Sequence, residues 1–292
     1  MAEQKQEGKH RVYMRPTSLT DALRFLDETG ATVAAGCTDL FPATSRREMT
    51  GPVLDVTAIQ GLRGISMTED GDWHIGGATT WRDVIAAPLP PAFDMFKAAA
   101  REVGSAQIQA AGTVAGNLCN ASPAADGVPC LMALDASVRL ASGRGERVLP
   151  LTDFLTGPRK TALAPSELLI SITVPAHAAT GQSRFLKLGA RRYLVISIAM
   201  VAARLMVEEG RIAGAAIAVG ACSAVARRLS EVEAALIGQD VARRPVIAPD
   251  MVTRALSPID DIRADAGYRA HAAVELIQRA IDDMLPGEGV AA

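Results

Sequence analysis

The sequence predicts an α+β fold of two unequal parts, and three observations carry that reading. At 292 residues the chain exceeds what one hydrophobic core usually serves, so two domains are the natural expectation. Helical and strand-like segments are mixed as far as Val174, and then a polar stretch bearing Pro and Gly, residues 175–183, breaks the pattern. Beyond it stand three alternating β-prone runs and then three helical segments, as in a three-stranded antiparallel sheet backed by helices.

Each element has a local reason. Ser18 opens the first helix with Asp21 as a capping-box-like partner. Leu19, Ala22, Leu23 and Leu26 form its stripe, and Gly30 stands where a helix stops. Thr32 to Ala35, Val53 to Val56 and His74 to Ala78 read as strands, and Phe93 to Val103 as a helix ended by Gly104. A helix over Val128 to Leu134 and strands over Ser137 to Ala141 and Leu168 to Val174 follow, the last closed by Pro175. In the C-terminal part, the strands are Arg184 to Leu188, Ser197 to Val207 and Ile212 to Ala221, with a turn at Glu209-Gly210 joining the last two. Ser230 with Glu233 reads as a capping box for the next helix, which Gly238 ends. Pro249 to Leu256 is a short helix, and Gly267 to Met284 a longer one striped by Tyr268, His271, Val274, Ile277 and Ile281.

Composition excludes several classes of function. Thirty basic against 32 acidic residues give a net charge of −2, which leaves no electrostatic footprint for nucleic acid or an anionic membrane. No run approaches the roughly 18 apolar residues of a membrane span, and Met1 to Lys9 lacks the apolar core of a secretory signal, so the expected residence is cytoplasmic. Cys37, Cys119, Cys130 and Cys222 form no C-x-x-C pair, and His10, His74, His177 and His271 are scattered, so no metal site is expected within the chain.

Two turns of small residues remain, at 35–40 and 112–117. Each offers consecutive backbone N–H groups, which a pyrophosphate needs at a range that larger side chains would obstruct. Thr113 and Asn117 would add side-chain donors. Neither turn is G-x-G-x-x-G or a P-loop, so a Rossmann NAD site and a nucleoside triphosphatase are unsupported. Taken alone, each reads more simply as an ordinary tight turn. Asp126 precedes a helix with Pro129 in its first turn and reads as its N-cap. Its carboxylate could also accept bonds from sugar-alcohol hydroxyls. Lys187 lies among Phe185, Leu186 and Leu188, where it either faces solvent, the simpler reading, or turns inward and needs a partner.

Together these segments carry a resemblance. Ala35-Gly36-Cys37-Thr38-Asp39-Leu40 resembles the A-G-G-T-D-L loop of the FAD-binding medium subunits of molybdenum hydroxylases, the xanthine dehydrogenase and carbon monoxide dehydrogenase group. Gly112 to Asp126 resembles the same family's G-T-x-G-G-N…A-S-P-x-x-D segment. The spacing of about 75 residues, the F-x-K run at Phe185 to Lys187 and the late Tyr268-Arg269 also match.

The resemblance implies a vanillyl-alcohol-oxidase (PCMH)-type FAD-binding fold of two α/β subdomains, 10–60 and 61–177, and a C-terminal flavoprotein domain, 181–286. It implies non-covalent FAD held by Val33, Ala34, Ala35, Gly36, Cys37, Thr38, Asp39 and Leu40 around the diphosphate, with Gly112, Thr113, Ala115, Gly116 and Asn117 completing the cradle. Ser122 and Asp126 would serve the ribityl or ribose side, Leu169 would line the isoalloxazine, and Lys187 would stand near its polar edge. Molybdopterin and [2Fe-2S] clusters would reside on a large and a small partner subunit, in a dimer of heterotrimers. Electrons would arrive from those clusters and leave to an external acceptor such as NAD. The alternative, a free-standing FAD-dependent oxidoreductase, needs acid–base residues over the flavin, where only Lys187 and Tyr193 offer themselves. The sequence departs from the family pattern at Cys37 and Ala115, each replacing a glycine, and at Gln109, where many relatives have arginine. Both glycine replacements are small, but a positive φ at either would be strained. An aromatic shield is also lacking near Val103, for which Tyr193 is the expected substitute.

Overall fold

The structure is a computed structural model and describes residues 13–44, 49–192 and 194–285. The Met1 to Lys9 stretch, His10 and Tyr193 lie outside the described residues.

Strand β1 (Tyr13–Met14) leads into helix α1 (Leu19–Thr29), whose N-cap is Ser18 as expected: its hydroxyl accepts from Asp21 N–H at 3.2 Å. Gly30 ends α1 in the left-handed conformation with φ 60°, donating to the Leu26 carbonyl. Strands β2 (Thr32–Ala34) and β3 (Val53–Asp55) follow, and β3 pairs in parallel with both β1 and β2. Next come β4 (Ile65–Met67), β5 (Trp73–Gly76), and helices α2 (Trp81–Ala86), α3 (Asp94–Glu102), α4 (Ala106–Ala111), α5 (Val114–Asn120) and α6 (Gly127–Ala133). Strands β6 (Ser137–Ser142) and β7 (Gly145–Pro150), helix α7 (Leu151–Phe154), the small hairpin β8 (Leu155–Gly157) and β9 (Lys160–Thr161), and β10 (Leu168–Val174) complete this half. Its larger sheet is antiparallel in the order β4-β5-β10-β6-β7.

The C-terminal part holds β11 (Gln182–Leu188), β12 (Ala199–Glu208), β13 (Arg211–Gly220) and β14 (Arg227–Arg228), then α8 (Ser230–Leu236), α9 (Pro249–Ala255) and α10 (Ala266–Asp282). The β12–β13 turn is Glu209-Gly210, both at positive φ (49° and 73°), as a two-residue hairpin matched to strand twist requires. The three expected strands form, and the two-residue β14 adds a fourth at the edge of β13.

Three local expectations are corrected. Ser230 is not a cap: the residue before α8 is Leu229, with no side-chain cap bond, and Glu233 instead accepts from Ile217 N–H at 2.7 Å and pairs with Arg228. The buried face of α10 is Arg269, Ala272, Ala273, Ile277, Ala280 and Ile281, whereas Tyr268 and His271 are exposed. Asp126 makes no side-chain cap bond to α6, because both its oxygens are engaged elsewhere.

The four-stranded sheet is buried on both faces. Phe185, Met200, Ala202, Ala216 and Ala218 join the core of the N-terminal half with Phe93, Phe96 and Leu131. Val201, Ala203, Ile217 and Val219, one residue out of phase, pack with Leu236, Ile277 and Ile281. A separate smaller core, around Ala22, Leu26 and Leu54, lies under the parallel sheet.

Candidate functional site

The two small-residue turns meet. A Cβ on Gly36 would stand 1.9 Å from the Ala111 carbonyl oxygen and 2.7 Å from Gly112 Cα, so only glycine permits the approach. A Cβ on Gly112 would in turn stand 3.3 Å from Thr38 Oγ1. The second turn is held from behind: Trp81 N–H donates to Gly112 O at 3.1 Å and Val114 N–H to Thr79 O at 2.9 Å. Thr80, in a capping box with Asp83, fixes the start of α2 beside them.

On this frame the first turn presents a row of donors. Among the described residues, the backbone N–H groups of Gly36, Cys37, Thr38, Asp39 and Leu40 make no hydrogen bond within the protein. Amides in succession on a half-buried turn form an anion-binding concavity. Val33 is exposed on β2 and Ala34 buried, while Ala35 to Thr38 and Leu40 are half-buried and Asp39 is exposed. Cys37 does take a positive φ, 56°, and burial pushes its thiol above the usual range, with Asp55 adding to the effect.

The second turn differs from its expected form, since Val114–Asn120 is helical and Thr113 is its N-cap. The Thr113 hydroxyl accepts from Gly116 N–H at 3.0 Å, so that amide is spent within the turn. Ala115 is buried in regular helix and carries no strain, while Gly116 is exposed. Asn117 is half-buried, and its Oδ1 has no partner among the described residues although it is shut off from solvent. That oxygen would lie 3.2 Å from a Cβ on Gly127, whose other neighbour, at 2.5 Å, is the Trp81 ring. Trp81 thus forms the wall between both glycines, a role that sequence reasoning missed. One of two tryptophans in a chain only 4% aromatic was the signal for it.

The 122–126 segment continues from there. The Ser122 hydroxyl accepts from Ala124 N–H and shapes the turn. Asp126 is 7% exposed. Its Oδ2 accepts from Lys187 Nζ at 2.8 Å and its Oδ1 from Ser197 Oγ at 2.8 Å. Burial raises the Asp126 carboxyl, opposed by the Lys187 ammonium and the two hydrogen bonds. Lys187 therefore faces inward, its side chain 8% exposed, and the solvent-facing reading is overturned. Ser197 was not foreseen; nothing in its local pattern marks it. Beside Lys187 a cleft of about 550 Å³ opens between Ala98 and Glu102 of α3 on one side and Gly189 and Val195 on the other, with Arg191 and Arg192 on its wall. Leu169 stands apart from this surface: it is 4% exposed, packed in the core with Val114, Ala115 and Leu118.

A turn of free amides, a glycine-permitted contact to a second turn and an adjoining buried polar cluster are groups suited to a phosphate-bearing, hydroxyl-rich ligand. The chain belongs to the family described as the FAD binding domain in molybdopterin dehydrogenase, whose model matches residues 5–177; the CO dehydrogenase flavoprotein C-terminal domain matches residues 184–284. It carries an FAD-binding domain and is a flavoprotein subunit of the oxidoreductase class. Among its relatives is the nicotine 6-hydroxylase medium subunit of Paenarthrobacter nicotinovorans, 30% identical over 275 residues that span 92% of this chain and 95% of that one. A putative xanthine dehydrogenase FAD-binding subunit of Escherichia coli (strain K12) is 28% identical over 95% of this chain and 97% of its own. In solved structures, a chain of the carbon monoxide dehydrogenase from Hydrogenophaga pseudoflava superposes with a TM-score of 0.86 at 27% identity, covering 94% of this chain and 97% of that one. Among the described residues no helix is long and apolar enough to cross a membrane.

Proposed function

We propose that this chain is the FAD-binding electron-transfer subunit of a molybdenum-containing hydroxylase or dehydrogenase. In this reading it takes electrons from [2Fe-2S] clusters on a small partner subunit and passes them to an external acceptor such as NAD. A large molybdopterin subunit carries the substrate chemistry, the complex is a dimer of heterotrimers, and it is cytoplasmic. Within the chain we take 10–60 and 61–177 as the two halves of the FAD-binding unit and 181–286 as the flavoprotein C-terminal unit.

The observation that carries the reading is the row of unspent amides from Gly36 to Leu40, pressed against Gly112. The residues present fit FAD. Residues 33–40 would wrap the diphosphate, where a charge-assisted bond from each amide contributes about 1.5–3 kcal/mol. Gly112, Thr113, Ala115 and Gly116 would form the opposite wall, with Thr113 and Ala115 acting through the shape of the α5 turn. Asn117, with its orphaned Oδ1, would accept from a ligand hydroxyl or amine. Ser122 and Asp126 would serve the ribityl or ribose hydroxyls, and Lys187 would lie near the flavin's polar edge. Leu169 would support the ring from the core beneath α5. FAD, when bound, supplies the exchange of one or two electrons. The protein contributes position, exclusion of water and a fixed cation. We take the binding as non-covalent, because no histidine or cysteine stands in a family attachment context.

Affinity purification of the intact complex from its native host, with a visible spectrum and a subunit gel, tests this. Flavin and iron–sulfur absorbance with two co-purifying chains is the expected result. A yellow protein without partners would favour a free-standing FAD-dependent oxidoreductase, and a colourless one would overturn FAD binding itself.

A further inference from the structure

Of the Tyr268-Arg269 pair that opens α10, Tyr268 is half exposed, whereas Arg269 is 3% exposed. A guanidinium at that depth is costly to bury unless its donors are used. Nη1 donates to the carbonyls of Ile198 at 2.6 Å and Ala221 at 3.2 Å, and Nη2 donates to Asp261 Oδ1 at 2.7 Å, while the buried Nε has no partner among the described residues. Asp261 is itself organised by Arg263, whose backbone N–H and guanidinium both donate to it.

The two carbonyls belong to the segments that grip the 122–126 loop. Ser197, next to Ile198, donates its hydroxyl to Asp126 at 2.8 Å, and Ala221 donates its N–H to Pro123 O at 3.0 Å. One planar fork therefore ties together two of the three points at which the C-terminal part holds that loop, the third being Lys187 on Asp126. We propose that Arg269 is a positioning residue of the flavin site, fixing the spacing of Ser197 and Ala221 and thereby the place of Asp126. The proposal rests on the reading that the Ser122–Asp126 segment serves FAD. A lysine would keep the charge and the pair with Asp261, but as a point donor it cannot span both carbonyls and the carboxylate.

The test uses the full chain, stripped of flavin and titrated with FAD by fluorescence quenching. Arg269→Lys is expected to fold, as judged by near-ultraviolet circular dichroism, and to weaken FAD binding about tenfold. Ser197→Ala should weaken it similarly, and the double variant should be no worse than Ser197→Ala alone, since both act through one link. Hydrogen exchange in the flavin-free protein should speed up at the Ala221 amide in Arg269→Lys. Should Arg269→Lys fail to fold, Asp261→Asn loosens the same fork from its outer side and should raise the FAD dissociation constant about threefold. If Asp126→Asn weakens FAD binding while Arg269→Lys, folded, leaves it unchanged or adds fully to Ser197→Ala, the positioning role is refuted. If Asp126→Asn also has no effect, the assignment of the loop to FAD fails first.

Discussion

Replacing Gly36 with alanine would force the two turns apart. The added methyl would lie 1.9 Å from Ala111 O, 2.5 Å from its carbonyl carbon and 2.7 Å from Gly112 Cα, all backbone atoms that no rotamer change can move. Ordinary contact begins at about 3.4 Å, so the turns must separate by about 1.5 Å. An N–H···O bond forms near 2.9 Å and is lost beyond about 3.5 Å. A shift of that size therefore takes the amides of one turn out of reach of an anion held by the other. Losing two charge-assisted bonds at about 1.5–3 kcal/mol each weakens binding by about 3–6 kcal/mol, roughly a hundred- to ten-thousand-fold. The overpacking itself destabilises the fold by about 1–3 kcal/mol. FAD titration of the stripped protein, alongside urea unfolding, separates the two effects. Gly30→Ala is the control: Gly30 has φ 60° but nothing within 4 Å of its Cβ, so stability should drop by about 1 kcal/mol with FAD affinity intact. A folded Gly36→Ala protein that binds FAD within threefold of the parent would refute the argument.

Four further outcomes follow from the same geometry. Cys37→Gly, relieving a φ of 56°, should raise the urea midpoint by the equivalent of about 0.5–1 kcal/mol, because the left-handed penalty exceeds glycine's entropic cost. Asp126→Asn strands the Lys187 ammonium and should destabilise the flavin-free protein by about 3 kcal/mol, most of it recovered when Lys187→Met is added. Ser230→Ala should shift thermal unfolding by no more than about 0.5 kcal/mol, whereas Glu233→Ala, which frees Ile217 N–H and Arg228, should cost about 2 kcal/mol. Glu167 is held below its ordinary 4.5 chiefly by the Arg147 guanidinium. Its contribution is therefore complete above pH 4.5 and is lost as pH falls through the lower folded value. Arg147→Met should flatten that acid limb in pH-dependent urea melts, with an effect at neutral pH kept small by the solvent exposure of Arg147.

Local punctuation made much of the fold legible. Leu168 to Val174 has the same bounds in sequence and structure because Pro175 cannot continue the ladder, and Ser18 and Gly30 fix α1 at both ends. Helix α5 was not legible: Gly116 and Asn117 are poor helix formers, and the segment is held by contacts from outside, including Val114 N–H on Thr79 O and the burial of Leu118. The two turns could be read as small-residue loops, but their contact could not, because it depends on a Cβ that glycine lacks. The partners of Asp126 stand 61 and 71 residues further along the chain, where no local pattern reaches. With its oxygens committed there, the cap expected on α6 was never formed.

Lys187 takes the inward of its two readings for a reason that lies in the sheet. Alternation along β11 puts Phe185 and Lys187 on one face, and the inference that a polar residue marks the wet face holds only for a sheet with a wet face. Here both faces are covered, one by the α3 and α6 side, the other by α8 to α10. The face toward α6 is lined largely by alanine, at 202, 216 and 218, which lets the helix approach closely and leaves little room for water. In such a seam a well-packed apolar pair commonly matches or exceeds a buried ion pair in stability, by about 1–4 kcal/mol. Packing alone therefore does not account for an aspartate and a lysine in these positions. Their neighbours are Asn117 with its unanswered oxygen, the Trp81 wall and the cleft beside β11. The proposed flavin site gives the pair a role that packing does not, with Lys187 beside the polar edge of the ring and Asp126 toward the ligand's hydroxyls.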